Sequence, residues 1–226
     1  MIYQNIEKAI FLNRPNRFIA NIDINGKTEV AHVKNTGRCK ELLISGSTIF
    51  VQEIISSTRK TKYDLISVYK GDKLINIDSQ APNKVFCQWV EQGHFLPEIT
   101  LIKPETKFGN SRFDFYLETK SKKIFVEVKG VTLEENGIVR FPDAPTQRGV
   151  KHLNELCDAH KVGYDTYIVF VVQMSNATSF EPNDKTHAAF GDALRNAQRQ
   201  GVHILALDCA VTIDGIFIEN TVNVNL

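Results

Sequence analysis

Residues 111–129 predict a β-hairpin in which one turn decides the position of every side chain. Two runs of alternating apolar and polar residues flank a polar turn at residues 119–122, and folding about that turn places Asp114 opposite Glu127. The other pairs in this register are Arg112 with Lys129 on the same face, and Phe113 with Val128 and Phe115 with Val126 on the opposite face. The predicted hairpin therefore has one apolar face and one face that collects two carboxylates and two cations.

The opposed carboxylates suggest a metal site, because Cβ atoms in such pairs lie ~5 Å apart and the charges repel each other. A divalent cation such as Mg²⁺ or Mn²⁺ between Asp114 and Glu127 would reverse that repulsion, and Lys129 would then stand where it can assist an attacking water. The spacing Asp114, Glu127, Lys129 is that of the PD-(D/E)xK nuclease superfamily. The alternative is a solvated strand face with cross-strand ion pairs.

Composition allows a folded core and excludes two classes of protein. The chain has 226 residues, of which 42% are hydrophobic and 23% charged, with a formal net charge of +1, so it is neither a disordered tail nor a globally basic nucleic-acid binder. Residues 1–82 carry 12 Lys+Arg against 8 Asp+Glu, whereas residues 83–226 carry 15 against 18. This asymmetry suits a basic module beside a metal-using one.

Cysteine usage and hydropathy predict a cytoplasmic protein with no membrane segment. The four cysteines form no C-x-x-C pair and have no histidines at zinc-ligand spacing, so they are interpreted as reduced core thiols: Cys39, Cys87, Cys157 and Cys209. No apolar N-terminal segment resembles a signal peptide, and the apolar run at residues 168–172 is far too short to span a bilayer.

Two domains are predicted, over residues 1–82 and 83–226. Short alternating segments with turn residues every 8 to 12 positions between residues 18 and 77 indicate a small β-barrel, with an OB-like barrel preferred on size and charge. The second part reads as helix (85–90), hairpin, helix (146–160), buried strand (167–172), helix (186–200) and strand (202–208). That order is the one that a restriction-endonuclease-like α/β core requires.

Basic residues interleaved with aromatics predict a surface that follows a phosphate backbone. The nucleic-acid-binding candidates are Arg14, Arg17, Phe18, Arg38, Arg59, Lys60, Lys62, Arg112, Arg148 and Lys151. Arg148 and Lys151 follow Thr146, a predicted N-cap, so a helix N-terminus adds to the attraction for phosphate. The alternative for Lys151 is a surface ion pair with Glu155, and His152 is interpreted as a structural histidine with an acid–base role as the alternative.

Several of these motifs together resemble the sugar fermentation stimulation protein A family. They are R-P-N-R-F, H-V-K-N-T-G-R, R-K-T-K-Y, S-R-F-D-F, V-E-V-K-G-V-T-L and F-P-D-A-P-T-Q-R-G-V-K-H-L-N-E-L, in family order from residue 14 to about residue 156. The resemblance implies an N-terminal OB-like domain, a C-terminal PD-(D/E)xK-like domain, DNA binding with little sequence preference, and a link to sugar, especially maltose, metabolism.

The resemblance also carries residue assignments. It implies that Asp114 and Glu127 match metal ligands, that Lys129 matches the superfamily lysine, and that Glu105 matches a family acid upstream of S-R-x-D. Many family members have a glutamate in the preceding helix where this chain has Gln88. A nuclease fold can also persist as a DNA-binding scaffold.

Three functions follow as hypotheses. The first is a DNA-binding accessory regulator, and the second is a Mg²⁺- or Mn²⁺-dependent nuclease using Asp114, Glu127, Lys129 and Glu105. The third is a binder of sugar phosphate or nucleotide at the turn of residues 32–38, for which an ordinary hairpin turn is the alternative. The oligomeric state is left open, with a homodimer as one alternative.

Overall fold

The computed structural model describes residues 1–35 and 37–226, and its strands form two sheets, one in each half of the chain. Within these residues, none of the helices combines the length and the apolar character that a membrane crossing requires.

The first sheet is a small barrel, as predicted. Its strands are β1 (Ile6–Asn16), β2 (Ile19–Ile24), β3 (Lys27–Val33), β4 (Thr48–Glu53), β5 (Tyr63–Lys70) and β6 (Lys73–Asn76), in the order β3-β2-β1-β4-β5-β6. A parallel pairing of β3 with β5 closes the first five strands on themselves. In β2 every second residue is buried, which is the period-two pattern that predicts a half-buried strand.

The second sheet has nine strands and confirms the predicted α/β fold. Its elements are α1 (Ala81–Glu91), β7 (Ile99–Phe108), β8 (Ser111–Thr119), β9 (Lys123–Val131), β10 (Leu133–Glu135), β11 (Ile138–Phe141), α2 (Gln147–Lys161), β12 (Asp165–Val172), β13 (Ser179–Pro182), α3 (Asp184–Arg199), β14 (His203–Thr212) and β15 (Gly215–Val224). The strand order is β10-β11-β13-β15-β14-β12-β9-β8-β7. Strands β9, β12 and β14 pair in parallel at its centre, and all but the first residue of β12 are buried, as its apolar run predicts.

Helices cover both faces of this sheet. Leu153 of α2 and Phe190 of α3 pack in one apolar cluster with Phe113 and Phe170, whereas α1 packs in a second cluster on the other face, around Phe86. The carboxylate hairpin of β8 and β9 is thus held between α1 on one side and α2 on the other.

Buried polar contacts join the two sheets. Gln173, just after β12, donates through Nε2 to Asn76 Oδ1 at 2.9 Å and to the backbone carbonyl of Asp78 at 3.0 Å. The N-terminus also reaches the second sheet, where Ile2 forms an isolated antiparallel bridge with Gly215. The predicted boundary after Pro82 stays a prediction, and Pro82 lies in the first turn of α1.

The hairpin register is confirmed where β8 and β9 pair. Phe115 pairs with Val126, and the ladder continues from there to the turn. The prediction that Phe113 shares a face with Phe115 is wrong. The ring of Phe113 lies 5.1 Å from that of Phe125 in the cluster under α2, whereas Phe115 lies 5.5 Å from Phe86 under α1. The alternation breaks at the residue between them, Asp114.

Candidate functional site

Asp114 lies where the β8–β9 ladder ends. Its Oδ2 accepts the backbone N–H of Val128 at 2.8 Å. The side chain thus takes the place of the backbone carbonyl that would accept this N–H if the ladder continued beyond Phe115 and Val126. Its Oδ1 accepts from Asn83 Nδ2, also at 2.8 Å, and Asn83 lies in the first turn of α1. The break in alternation therefore has a physical cause, since the carboxylate replaces a ladder hydrogen bond and is fixed from two sides.

Glu127 lies at the centre of β9 and is almost fully buried, with 2% of its surface exposed. Its Oε1 contacts both Lys129 Nζ and His152 Nδ1. Its Oε2 is buried and has no hydrogen-bond partner among the described residues. All the donors that reach this carboxylate thus converge on one oxygen, and a buried oxygen without a partner is costly unless a ligand satisfies it.

The pKa values of the two carboxyls are displaced in opposite directions. Burial raises the pKa of Asp114, and the nearby charge of Glu127 raises it further. Burial also acts to raise the pKa of Glu127, but the hydrogen bond from His152 and the charge of Lys129 outweigh it, so this pKa lies below its usual value. Glu127 is therefore held as the charged partner, and Asp114 is the acid whose ionisation is disfavoured.

His152 and Arg148 extend the site into α2. Arg148 Nε donates to His152 Nε2 at 3.3 Å, and the opposite ring nitrogen of His152 meets Glu127. His152 is buried, whereas Arg148 is exposed. The interpretation of His152 as a hydrogen-bonded histidine fits these contacts, but its partner Glu127 was not predicted. The i, i+4 spacing of Arg148 and His152 on one helix was the available signal.

Glu105, the predicted third acid, is turned away from the other two. The β7–β8 pairing of Pro104 with Phe115 and of Thr106 with Phe113 puts Glu105 opposite Asp114 in register. Its carboxylate nevertheless accepts from Arg112 Nη1 at 3.0 Å, and the side chain is 72% exposed. The role of Glu105 as a metal ligand stays a prediction.

Gln88 does not contact the carboxylates. It lines a surface groove with Met1, Ile2 and Phe217. The α1 side chain that reaches Asp114 is instead Asn83, five positions earlier. Gln88, which stands where many family members have a glutamate, therefore lies in a different part of α1 from Asn83, the residue that holds Asp114.

The residues present fit a divalent cation held by two carboxylates. In the part of the chain that the structure describes, no group of three or more His, Cys, Asp or Glu side chains is arranged to hold a metal. Mg²⁺, however, is commonly bound by one or two carboxylates, with waters and substrate phosphate completing its shell. The free Oε2 of Glu127 beside Asp114 is the feature that suits such an ion.

Several of the cations predicted to bind phosphate are instead paired with groups of the protein itself. The Arg14 guanidinium donates to four backbone carbonyls, those of Arg17, Asn35, Gly37 and Arg38, at 2.6 to 2.9 Å. The other tied cations are Arg59 with Asp64, Lys62 with Glu53, Arg112 with Glu105, and Lys151 with Glu155 and the carbonyl of Asn110. Arg14 therefore holds the loop that follows β3, and both of its terminal nitrogens are occupied.

Other side chains predicted to bind phosphate are exposed and have no acidic partner among the described residues. Arg17 lies over the ring of Phe18 at 4.9 Å, and Phe18 is 44% exposed. Arg17, Arg38 and Lys40 line a cleft of about 440 Å³ on the barrel, with no acidic side chain among its described lining residues. Lys60 is exposed in the β4–β5 loop.

The turn at residues 32–38 is mostly committed to internal contacts. Lys34 Nζ lies 3.1 Å from Asp64 and 3.4 Å from Asp78, and Asn35 Oδ1 accepts the N–H of Gly37 at 2.7 Å. Thr36, in the middle of this predicted turn, lies outside the described residues. The charge of Lys34 is therefore neutralised within the protein, which weighs against a phosphate site formed by this turn.

Comparisons with known proteins cover both halves of the chain. The family model described as "SfsA N-terminal OB domain" matches residues 12–77, and that of the "Sugar fermentation stimulation protein RE domain" matches residues 80–215. Sugar fermentation stimulation protein homologs of Clostridium beijerinckii and Desulfitobacterium hafniense (strain Y51) are 60% and 62% identical over 226 residues, which is 100% of this chain and 100% and 99% of theirs. The solved structure of Pyrococcus furiosus SfsA in complex with Ca²⁺ superposes with a TM-score of 0.91 at 30% identity, covering 100% of this chain and 98% of that one.

Proposed function

The chain belongs to the sugar fermentation stimulation protein family, and we propose that it binds DNA with little sequence preference. The observation that carries this proposal is the basic cleft of Arg17, Arg38 and Lys40, with the exposed ring of Phe18 at its rim. Cations without internal partners are available to replace counterions on phosphates, and an exposed aromatic ring offers a stacking surface for bases. Neither feature reads a base edge, which is why little sequence preference is expected.

The salt dependence of binding tests this proposal. The logarithm of affinity should fall with the logarithm of salt concentration, and Arg17→Ala or Arg38→Ala should each make the slope shallower by about 0.9 if the arginine neutralises one phosphate of B-DNA. Arg195→Ala is the matched control, because Arg195 is held by Asp184 and Asp192 on α3. A wild-type slope near zero, or equal slopes in all four proteins, would contradict the proposal.

A second candidate is a divalent-cation-dependent nuclease, which the unpartnered Oε2 of Glu127 beside Asp114 favours. The Pyrococcus furiosus relative, 30% identical, was solved in complex with Ca²⁺, which supports a cation site in this fold. Asp114 and Glu127 would hold Mg²⁺ or Mn²⁺ here. A bound ion of this kind supplies Lewis-acid stabilisation of the developing charge on the scissile phosphate and lowers the pKa of a bound water.

The chain's own residues contribute positioning and charge. Lys129 touches Glu127 through its ammonium and keeps 17% of its side chain exposed, so it can also donate to a phosphate oxygen or orient a water. Asn83 and the N–H of Val128 hold Asp114 in place through one hydrogen bond to each of its oxygens. The two acids are thus fixed by different elements, α1 for Asp114 and α2 for Glu127, and Lys129 completes the charge balance between them.

Cleavage of supercoiled plasmid with Mg²⁺, Mn²⁺ or EDTA tests the nuclease proposal. Nicking should require metal and should be lost in Asp114→Asn and Lys129→Ala, while Asp158→Asn, a change at an exposed acid of α2, should cut like the wild type. Glu105→Gln tests the predicted third ligand and should slow nicking if that acid binds metal. DNA that stays intact with either metal, while binding persists, would refute the nuclease and leave the DNA-binding proposal standing.

The link to sugar metabolism remains a prediction from the family resemblance. Nothing in the geometry of the site argues for or against it. Growth of a deletion strain on maltose, compared with a complemented strain, would measure it directly.

A further inference from the structure

The buried contacts of His152 have no role in the function proposed so far, although they reach its most important carboxylate. His152 lies in the second turn of α2, with 4% of its surface exposed, and it bridges an exposed arginine and a buried glutamate. A neutral imidazole has one donor and one acceptor nitrogen, and both nitrogens of this buried ring contact a charged side chain.

The contact with Arg148 decides which ring nitrogen carries the proton. Arg148 Nε bears a hydrogen and has no lone pair to share, so in its 3.3 Å contact it donates and His152 Nε2 accepts. The ring proton of the neutral histidine must then be on Nδ1, which is the nitrogen that meets Glu127 Oε1. The arginine therefore orients the ring as a donor towards the glutamate.

The consequence for Glu127 is an unequal use of its two oxygens. Oε1 receives both His152 and Lys129, and Oε2 receives no donor from any described residue. A carboxylate that was free to rotate about its last bond would exchange these oxygens, and two donors on one side oppose that rotation. Outer partners of this kind commonly change metal affinity by about 10–100-fold when they are removed.

We propose that His152 is a positioning residue for Glu127: held in its Nδ1–H form by Arg148, it occupies Oε1 and so directs Oε2 towards the cation position. The inference rests on the cation site of the proposed nuclease, and it adds two residues of α2 that were not assigned to that site. It also gives Arg148 a second contact besides the predicted one with phosphate, because the contact with His152 uses only Nε and Arg148 is an exposed residue.

Calorimetric titration with Mn²⁺ tests the inference without requiring activity. His152→Ala removes the donor and should weaken Mn²⁺ binding by at least about 10-fold. His152→Asn should restore affinity to within about 3-fold of the wild type, since the Asn Nδ2 can occupy the place of the ring Nδ1 as a donor. Thermal unfolding in EDTA checks that each variant is folded. Folded His152→Ala with wild-type affinity, or folded His152→Asn no better than His152→Ala, would overturn the inference.

A second measurement covers the case in which His152→Ala does not fold. Nitrogen-15 NMR of the wild-type protein should show a protonated Nδ1 and an unprotonated Nε2 at His152, and Arg148→Ala should shift that ring towards the other tautomer. A wild-type ring protonated at Nε2 would overturn the inference. If the wild type binds no Mn²⁺, the proposed cation site itself fails and this inference fails with it, whereas loss of the His152 effect alone leaves the proposed function intact.

Discussion

Asp64 in the barrel and Glu127 in the second sheet are both carboxylates with 2% exposure beside cations, yet they differ in how many of their oxygens have a partner. Arg59, Lys34 and His32 surround Asp64, whose two oxygens both have partners. Glu127 contacts one lysine and one histidine, lies near a second acid, Asp114, and keeps one oxygen without a partner among the described residues. Partners on both oxygens of Asp64 close the first cluster, whereas the unpartnered oxygen of Glu127 near a second acid leaves the second one open to a cation.

The pKa directions agree with this difference. Burial acts to raise the pKa of Asp64, but the Arg59 hydrogen bond and the charge of Lys34 lower it below its usual value. Near Glu127, burial and the charge of Glu127 together raise the pKa of the second acid, Asp114. The comparison teaches that burial alone does not identify a functional carboxylate, and that an unequal pair of acids is the better indicator.

The largest expected effect is the loss of stability when the Asp64 carboxylate is removed from its buried cluster. Asp64→Ala leaves Arg59 without its buried partner and Lys34 with Asp78 alone, so the free energy of unfolding in urea should fall by about 3–5 kcal/mol. Asp158→Ala, which removes an exposed acid from a surface pair with Lys161, should change it by less than about 1 kcal/mol. A loss of similar size in both variants would break the distinction between the two carboxylates.

The open site should respond to cations where the barrel cluster does not. At a Mn²⁺ concentration of 100 times its dissociation constant, the wild type should gain about 2.7 kcal/mol of stability, because only the folded state holds the ion. Glu127→Gln should abolish this gain, measured as the shift of the unfolding midpoint with added Mn²⁺. Asp158→Asn should shift like the wild type. A variant lacking the Glu127 charge that still gains stability from Mn²⁺ would show that the ion binds elsewhere.

The smallest expected effect is the pH dependence that Asp114 gives to the stability of the protein. Asp114 has a raised pKa in the folded state, so its contribution to stability is present at low pH and is lost as the pH rises through that pKa. Asp114→Asn does not titrate but loses one of the two acceptor oxygens, so its effect is measured as a change with pH. Relative to the wild type in EDTA, its unfolding temperature should gain about 2–4 °C between acid pH and pH 7 if about 1 kcal/mol of repulsion is removed. The advantage should shrink as the pH falls. An advantage that grows towards acid pH would mean that the sign of the Asp114 shift is wrong.

The elements with a clear period could be predicted from the sequence, whereas the irregular ones could not. Strand β2 alternates and β12 is a continuous apolar run, so both were recognised. Strand β1 was missed because it carries two register shifts against β2 and contains Pro15, which hide its alternation. The short strands β10, β11 and β13 have only three or four residues each, too few for a pattern.

At the site, the sequence predicted the residues on one hairpin and missed those that come from helices. Asp114, Glu127 and Lys129 share a local register, which a turn position defines. Asn83 lies 31 positions from Asp114, and His152 lies 25 positions from Glu127. Hydrophobic periodicity does not predict contacts between residues so far apart in the sequence. The sequence also does not distinguish Arg14 from Arg17, three positions later. Arg14 donates to backbone carbonyls, whereas the side chain of Arg17 has no acidic partner among the described residues.

The contact of the N-terminus with the second sheet has a consequence for the order of folding. The Met1 amine donates to the carbonyl of Ile216 at 2.9 Å, across 215 positions of sequence, and Ile2 bridges to Gly215. During synthesis the barrel can close early, but its first residues have no partner until the β14–β15 hairpin has been made. Strands β14 and β15, which are synthesised after the barrel, therefore complete the attachment of Met1 and Ile2.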